Sequence, residues 1–478
     1  MKGDFTRITF DPSKHYSLVF EQQGRVQLDS DANEMNIIHL YFSRILAADL
    51  IGPHGGSGDS FKIMPAKNDD GTDVANDFAI SGGHYYVNGI LCENEGSLRY
   101  STQRGSPDDL KLDPGKQCLA YLDVWDRHIT AYEDEDEERI GIREVALRGP
   151  DTATRAQIVW QVKWRLIENQ PTDDLLPTKP DAYKTFLKFL GEAERVSGRL
   201  RARSLKPKAD DEPCIISPEA RYRGAENQLY RVEIHHPGVA MPNDTTNLRI
   251  DGTKIATFKW SRENGSVIFP ITSRQGEVVT LRDLGRESRF GLRPDDWVEI
   301  VDDDYTLQSR AEPLLQIKEI DRDTMEVTLK TAPGSAVGTD SGKHPLLRRW
   351  DQRSDAIAVV ETSGDDDTNW IFTLEDGVQI QFISANDLTS GARPVGGKIP
   401  TLPTTRASGI YRTGDYWLIP ARVATRDVEW PGPPGNPRPA QPLGIQHSFA
   451  PLGIISGTGG SIKLDNDLRK TFKPLTQT

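Results

Sequence analysis

The sequence predicts a mainly β protein with minor α, in which an N-terminal helix-plus-hairpin module is followed by β-sandwich or barrel-like domains. Three observations carry this expectation. Glycine and proline occur 41 and 31 times in 478 residues, a density that favours short strands between turns. Apolar and polar residues alternate in many short runs, most cleanly over Ile158-Val159-Trp160-Gln161-Val162-Lys163-Trp164-Arg165-Leu166, the period of a half-buried strand. Helical spacing of apolar residues stands out in two segments, near the N-terminus and around 180–196,.

The N-terminal helix is read from its ends inward. Gln23-Gly24-Arg25-Val26-Gln27-Leu28 gives a turn and a strand. Asp31 is placed to cap the first helical turn, Glu34 stands three residues on as its capping-box partner, and Gly52-Pro53 stops the pattern,. The helix expected between Asp31 and Leu50 carries Met35, Ile38, Phe42 and Ile45 on one stripe and Ile37, Tyr41 and Ala48 on a neighbouring one. So wide an apolar surface is buried either inside its own domain or against symmetry copies of itself. Arg44 falls on the side expected to be solvated.

Phe78 to Leu91 reads as two short strands joined through Gly82-Gly83, followed by a hairpin turn at Asn88-Gly89, and further strands are expected at Cys118–Trp125 and 158–166,. Glu133 to Glu138 is an acidic run that reads as a solvated loop or a docking site for a basic surface,. Pro180 suits a first helical position, Tyr183, Phe186, Leu187, Leu190 and Val196 form a helical stripe, and Arg195, Arg199, Arg201 and Arg203 would complement the negative end of that helix or meet an acidic surface elsewhere,. Beyond Asn227 strand signals dominate, at Leu229–Ile234, Ala256–Trp260, Ser266–Ile271, Trp297–Val301, Met325–Leu329, Ile371–Phe372 and Val378–Phe382, with hairpin signals at Asn264-Gly265 and Asp376-Gly377. The Pro-rich stretch after Trp430 reads as an extended connector,. These signals divide the chain into an attachment module (1–105), a β-rich domain (106–170), a helical connector (171–226), a sandwich-like region (227–430) and a Pro-rich connector with the C-terminal segment (431–478).

Composition narrows function. With 71 acidic against 58 basic residues and a net charge of -13, the chain repels phosphate, so nucleic acid is not an expected partner. Cys92, Cys118 and Cys214 show no CxxC spacing, so they read as reduced core residues rather than a disulfide framework or zinc site. No apolar signal region opens the chain and no run of 18 apolar residues occurs, which predicts cytoplasmic synthesis and assembly without a transmembrane segment.

Neither GxSxG, HExxH, a P-loop nor a helix-opening GxGxxG is present, so no catalytic residue, metal or cofactor is expected. His235-His236 would point to opposite sides of a strand,. Asp302-Asp303-Asp304 and Asp365-Asp366-Asp367 lack the calcium-loop spacing and read as solvated turns,. A glycosidase needs only two suitably spaced carboxylates, so a glycan hydrolase stays open as a rival reading. Six tryptophans crowd the C-terminal half. Core packing is the commoner fate of each, but Trp430, beside the Pro-rich connector, is expected to be exposed, and with Trp417 it is a candidate recognition aromatic for a carbohydrate or other target,.

Several strings then coincide: Met1-Lys2-Gly3-Asp4-Phe5-Thr6-Arg7, Gln22-Gln23-Gly24-Arg25-Val26-Gln27-Leu28-Asp29, Tyr85-Tyr86-Val87-Asn88-Gly89-Ile90-Leu91-Cys92, Tyr121-Leu122-Asp123-Val124-Trp125-Asp126-Arg127-His128, Ala256-Thr257-Phe258-Lys259-Trp260-Ser261-Arg262 and Tyr411-Arg412-Thr413-Gly414-Asp415-Tyr416-Trp417. Over nearly its whole length the chain resembles a bacterial family found beside phage-tail-like and contractile injection system genes. Its first hundred residues also resemble phage baseplate and tail-fibre attachment domains, in which a Gly-Arg strand leads into an Asp-x-x-Asn-Glu helix; here the helix start reads Asp31-Ala32-Asn33-Glu34, one residue shorter. These resemblances imply a homotrimeric structural component of such a particle, docking on its other subunits. They carry over no catalytic residue.

Overall fold

The computed structural model describes residues 1–105, 110, 112, 115–135, 140–168, 172–192, 198–205, 221–241, 254–285, 291–362, 364, 366–383, 410–433, 436–458 and 461–473. The chain is mainly β with minor α and divides into two units. One comprises Met1, Ile8–Arg195 and Gln446–Thr478, the other Lys2–Arg7 and Val196–Ile445.

In the first unit the alternating run forms Arg155–Leu166, which pairs with Gln117–Ile129 from Cys118↔Leu166 through Ile129↔Arg155. Ser448–Thr458 adds to the other side of 117–129, and Ser461–Asp467 completes a four-stranded sheet. One core gathers Phe61, Phe78, Tyr85, Leu122, Val162 and Leu452. The expected domains 1–105 and 106–170 are therefore not separate, and most of the expected C-terminal segment returns to the same core. Sheet pairing across more than 300 residues of chain leaves no local mark in the sequence, which is why local signals misplace these boundaries.

Helix α1 (Asp29–Ile51) precedes the strand His54–Ser57, which pairs with Gly83–Val87. Gly83–Val87 and Ile90–Asn94 form the expected hairpin, Asn88 and Gly89 taking φ of 50° and 77° as a two-residue primed turn requires. This tip packs on α1 so closely that a Cβ on Gly89 would overlap the Arg44 carbonyl oxygen. Gly89→Ala is therefore expected to lower the thermal midpoint well beyond Gly71→Ala, because Gly71 shares the positive φ (83°) but has nothing within 4 Å of an added methyl,. Equal midpoints in differential scanning calorimetry would show that the tip does not rest on the helix.

Helix α2 (Ala182–Leu190) lays Phe186 against Leu119, Ile454 and Leu468, with Tyr183 and Leu187 flanking, so the expected stripe is real but the helical connector 171–226 is not. The helix ends at Gly191. Arg199–Ser204 is instead a strand paired with Val378–Ile383, and Arg201 and Arg203 are buried in it rather than facing a helix end. Arg195, Val196 and Cys214 lie outside the described residues.

The second unit is a sandwich joined to a barrel. Ile357–Ala358, Thr257–Ser261, Gln228–Ile234, Tyr416–Arg422 and Asp427–Val428 form one sheet. Its Tyr230, Val232, Phe258 and Trp417 pack on Leu200, Ile380 and Phe382 of the opposing sheet. Between Ser261 and Ile357 the chain closes a barrel from Ile268–Gln275, Val278–Leu281, Glu326–Leu329, Leu315–Asp321, Trp297–Val301 and Leu346–Trp350. Asp376-Gly377 makes the expected hairpin, Phe372 pairing with Ile380. Asn264-Gly265 does not: both residues have positive φ, but the flanking strands pair elsewhere, and the turn leads from sandwich to barrel.

Candidate docking surface

Helix α1 starts two residues before the expected position. Leu28 is its N-cap and makes no side-chain cap, so Asp31 does not cap the helix; it lies in the first turn with Asp29, where a negative charge suits the helix dipole. Glu34 accepts from Thr9 Oγ1 instead of closing a capping box. Further along, Arg44 makes a bidentate pair with Asp126 at 2.8 and 2.9 Å, so it is not the solvated position expected.

That pair and the Gly89 contact fix which side of α1 faces its unit. Ile38 turns inward and is 1% exposed, while Phe42 and Ile45 are 49% and 44% exposed and Met35 is half-buried. The expected stripe of Met35, Ile38, Phe42 and Ile45 is thus split between two sides. Leu40, Tyr41, Leu46 and Leu50 are exposed as well, the last two at 61% and 78%. Met35, His39, Phe42, Leu46 and Leu50 succeed one another at spacings of four, three, four and four, a continuous seam on one helix,. A helical stretch apolar on most of its sides, as Ile37–Ile51 is, normally lies inside a protein,. Here most of its circumference is open.

The approach to α1 has the same character. Tyr16, Leu18, Phe20, Val26 and Leu28 are all exposed, in an extended segment that forms no strand pair among the described residues. Gly24 (φ 70°) bends it, and Gln27 Nε2 donates to Glu21 Oε1 across the bend at 2.7 Å. Exposed apolar side chains gathered in this way are the kind of surface that interaction sites use.

The recognition aromatics do not stand out from the surface. Trp417 is fully buried, its indole N–H on the Ala440 carbonyl at 3.0 Å, and Trp430 is half-buried against the sandwich core with its N–H on the Arg438 carbonyl at 2.9 Å. A partner-satisfied N–H inside an apolar cluster is a packing role. The acidic turns are likewise engaged. Glu133 pairs with buried Arg127, Asp302 caps helix α3 (Asp303–Leu307) through the Tyr305 N–H, Asp303 and Asp304 meet His344 and Lys343, and Asp367 meets Arg203. Asp365 and residues 136–138 lie outside the described residues. His235 and His236 come after the strand has ended, so their rings lie together, 4.4 Å apart, not on opposite sides. Among the described residues no cluster of three metal-ligating side chains occurs, and no helix is long and apolar enough to cross a membrane.

Sequence reasoning missed a buried charge network. Lys259 Nζ donates to both oxygens of Glu299 at 2.8 and 2.7 Å, and lies 3.5 Å from Glu233, which also pairs with Arg231 and Lys2. Trp350 Nε1 and Tyr305 Oη complete the shell of Glu299, each at 3.0 Å. Burial is the largest influence and would raise the Glu299 carboxyl, but Lys259, His235 and Lys2 together outweigh it and hold the group at about 2,. Glu299, Tyr305, Glu312, Leu315, Ser335 and Val337 line a cleft of about 520 Å³. At that acidity Glu299 carries no proton near neutrality, which unfits it as the general acid of a glycosidase. The alternation of the charged Arg231 and Glu233 along one strand was the available signal.

Two further groups set opposite pH responses. Burial, aided by Lys470, lowers His54 to about 4, so the unfolded chain binds its proton first and stability falls as pH drops from about 6.5 to about 4. Burial, then Asp351 and Asp4, raise Glu263 to about 7, so the folded chain keeps its proton longer and stability falls as pH rises from about 4.5 to about 7. Relative to the wild type, Glu263→Gln is expected to gain thermal midpoint steadily between pH 4.5 and 7.5, and His54→Asn to gain below pH 6.5. Parallel midpoint-against-pH curves for variant and wild type would refute either assignment.

Fold and surface together define a two-unit, mainly β protein that presents an apolar helix outward. The chain belongs to DUF6519, a family of unknown function whose model matches residues 1–194 and again 187–393. The change from one matched segment to the next falls where the first unit gives way to the second in the chain. No curated protein and no solved structure matches.

Proposed function

We propose that this protein is a structural component of a phage-tail-like contractile injection particle, in which α1 and the segment before it pack against other copies of the same chain and so dock it into the assembly. The observation that carries the assembly reading is the exposure of Phe42, Ile45, Leu46 and Leu50 on a helix whose C-terminal half, from Ile37 to Ile51, is apolar on most sides. Water contact with so many large side chains is costly, since a fully exposed one forgoes about 1.5–3 kcal/mol of burial and these stand half to three-quarters open, and helix-on-helix packing removes much of that cost. The resemblance of residues 24–51 and the adjoining hairpin to baseplate and tail-fibre attachment domains supplies the kind of particle, and with it a homotrimer. Size-exclusion chromatography with light scattering tests the reading: a mass near three chains is expected, and a monomer at micromolar concentration would remove its basis.

A further inference from the structure

We propose that Lys2–Arg7 form an exchangeable arm, which in the assembly seats in the second unit of a neighbouring copy. The inference rests on the assembly reading above and names one contact that would tie the copies together.

The seat is built side chain by side chain. Lys2 reaches Glu233 at 3.0 Å and lies over the Trp350 ring. Asn264 Nδ2 donates to the Gly3 carbonyl at 2.8 Å, Phe5 packs on Leu229, Tyr416 and Leu418, and Arg422 donates to the Thr6 carbonyl at 2.9 Å. Arg7 closes the far end on Glu429 at 3.0 Å. Polar, apolar and charged contacts thus specify this hexapeptide at both ends and in the middle, so the occupant of the groove is a copy of this N-terminal segment.

The arm is held on a tether. The chain leaves the second unit at Arg7 and enters the first at Ile8. Thr9 and Phe10 touch α1 through Glu34 and Tyr41. From Asp11 to Leu28 the described structure is a three-residue helical turn, Pro12–Lys14, and the bend at Gln23-Gly24, and Tyr16–Gln27 carry one backbone–backbone hydrogen bond among the described residues, Arg25 to Gln22 at 3.2 Å. Eighteen residues in this form span up to about 60 Å, enough to reach another copy when α1 helices pack side by side. Exchange of an identical segment keeps every contact of the seat and adds cover for Tyr16, Leu18, Phe20 and Val26, which the tether otherwise leaves in water,.

The test joins the arm to its seat. Arg7 and Glu429 are an exposed pair, with side chains 39% and 40% accessible, so replacing both by cysteine leaves the Lys2 and Phe5 contacts in place. The full-length Arg7→Cys/Glu429→Cys protein is treated with a short-armed bismaleimide and run on a denaturing gel beside each single variant, with the native mass measured by light scattering. Covalent dimers and trimers beyond those of the single variants are the expected result. Crosslinks confined within single chains of a native oligomer would overturn the exchange while leaving the assembly reading intact, whereas a native monomer would remove both.

Discussion

Phe42→Asp is expected to convert the proposed oligomer into a well-folded monomer. In the single chain Phe42 is 49% exposed on the open side of α1, so a carboxylate there stays hydrated and the thermal midpoint of the dispersed protein should change little. In a packed helix seam the same carboxylate is desolvated in every copy, without a cation on its own face from Met35 to Leu50 other than His39 if protonated, at a cost of several kcal/mol per site. Ile38→Asp is the informative contrast. Ile38 is 1% exposed inside the unit, so its replacement should lower the midpoint and solubility before any effect on assembly is seen. Asn33→Ala, at a position of the same helix that is not buried, should alter neither mass nor midpoint; Arg44→Ala would be a poor control because it strands Asp126. A Phe42→Asp protein that retains the native oligomeric mass would refute the role given to this surface.

Lys259→Met is expected to cost about 3–5 kcal/mol of stability in the second unit, since it leaves the buried Glu299 and Glu233 charges short of their shared cation. Lys259 is 3% exposed and also stands over the Trp350 ring at 4.4 Å. Glu299 would keep only the neutral donors Trp350 and Tyr305, and its carboxyl would rise from about 2 toward the range of a buried acid,. Pairing the change with Glu299→Leu removes the uncompensated charge, so the double variant should be more stable than Lys259→Met alone although it lacks both partners. Urea titration together with calorimetry resolves this, the second unit being read from its own transition because a two-unit chain need not unfold in one step. A Lys259→Met protein as stable as the wild type would show that the network is not closed to water.

How much of the fold is legible in the sequence depends on distance along the chain. The strand Trp297–Val301, the Asn88-Gly89 hairpin, α1 and the Tyr183–Leu190 stripe are all readable there, because a strand's alternation, a primed turn's positive φ and a helix's spacing are properties of adjacent residues,. The same local rules misjudge Asn264-Gly265, whose turn is formed as expected but joins strands that pair elsewhere. They also treat Trp430 and Arg44 as surface residues, since nothing nearby announces Arg438's carbonyl or Asp126 as a partner. For the docking surface the sequence by itself determined that α1 would be apolar around most of its circumference. Only the tertiary structure decided that Ile38 faces inward and Phe42, Leu46 and Leu50 outward. The reason is steric: the Gly89 tip admits the helix backbone at Arg44 in one orientation, and that contact, made between residues 45 positions apart, selects which of several equally apolar faces is covered.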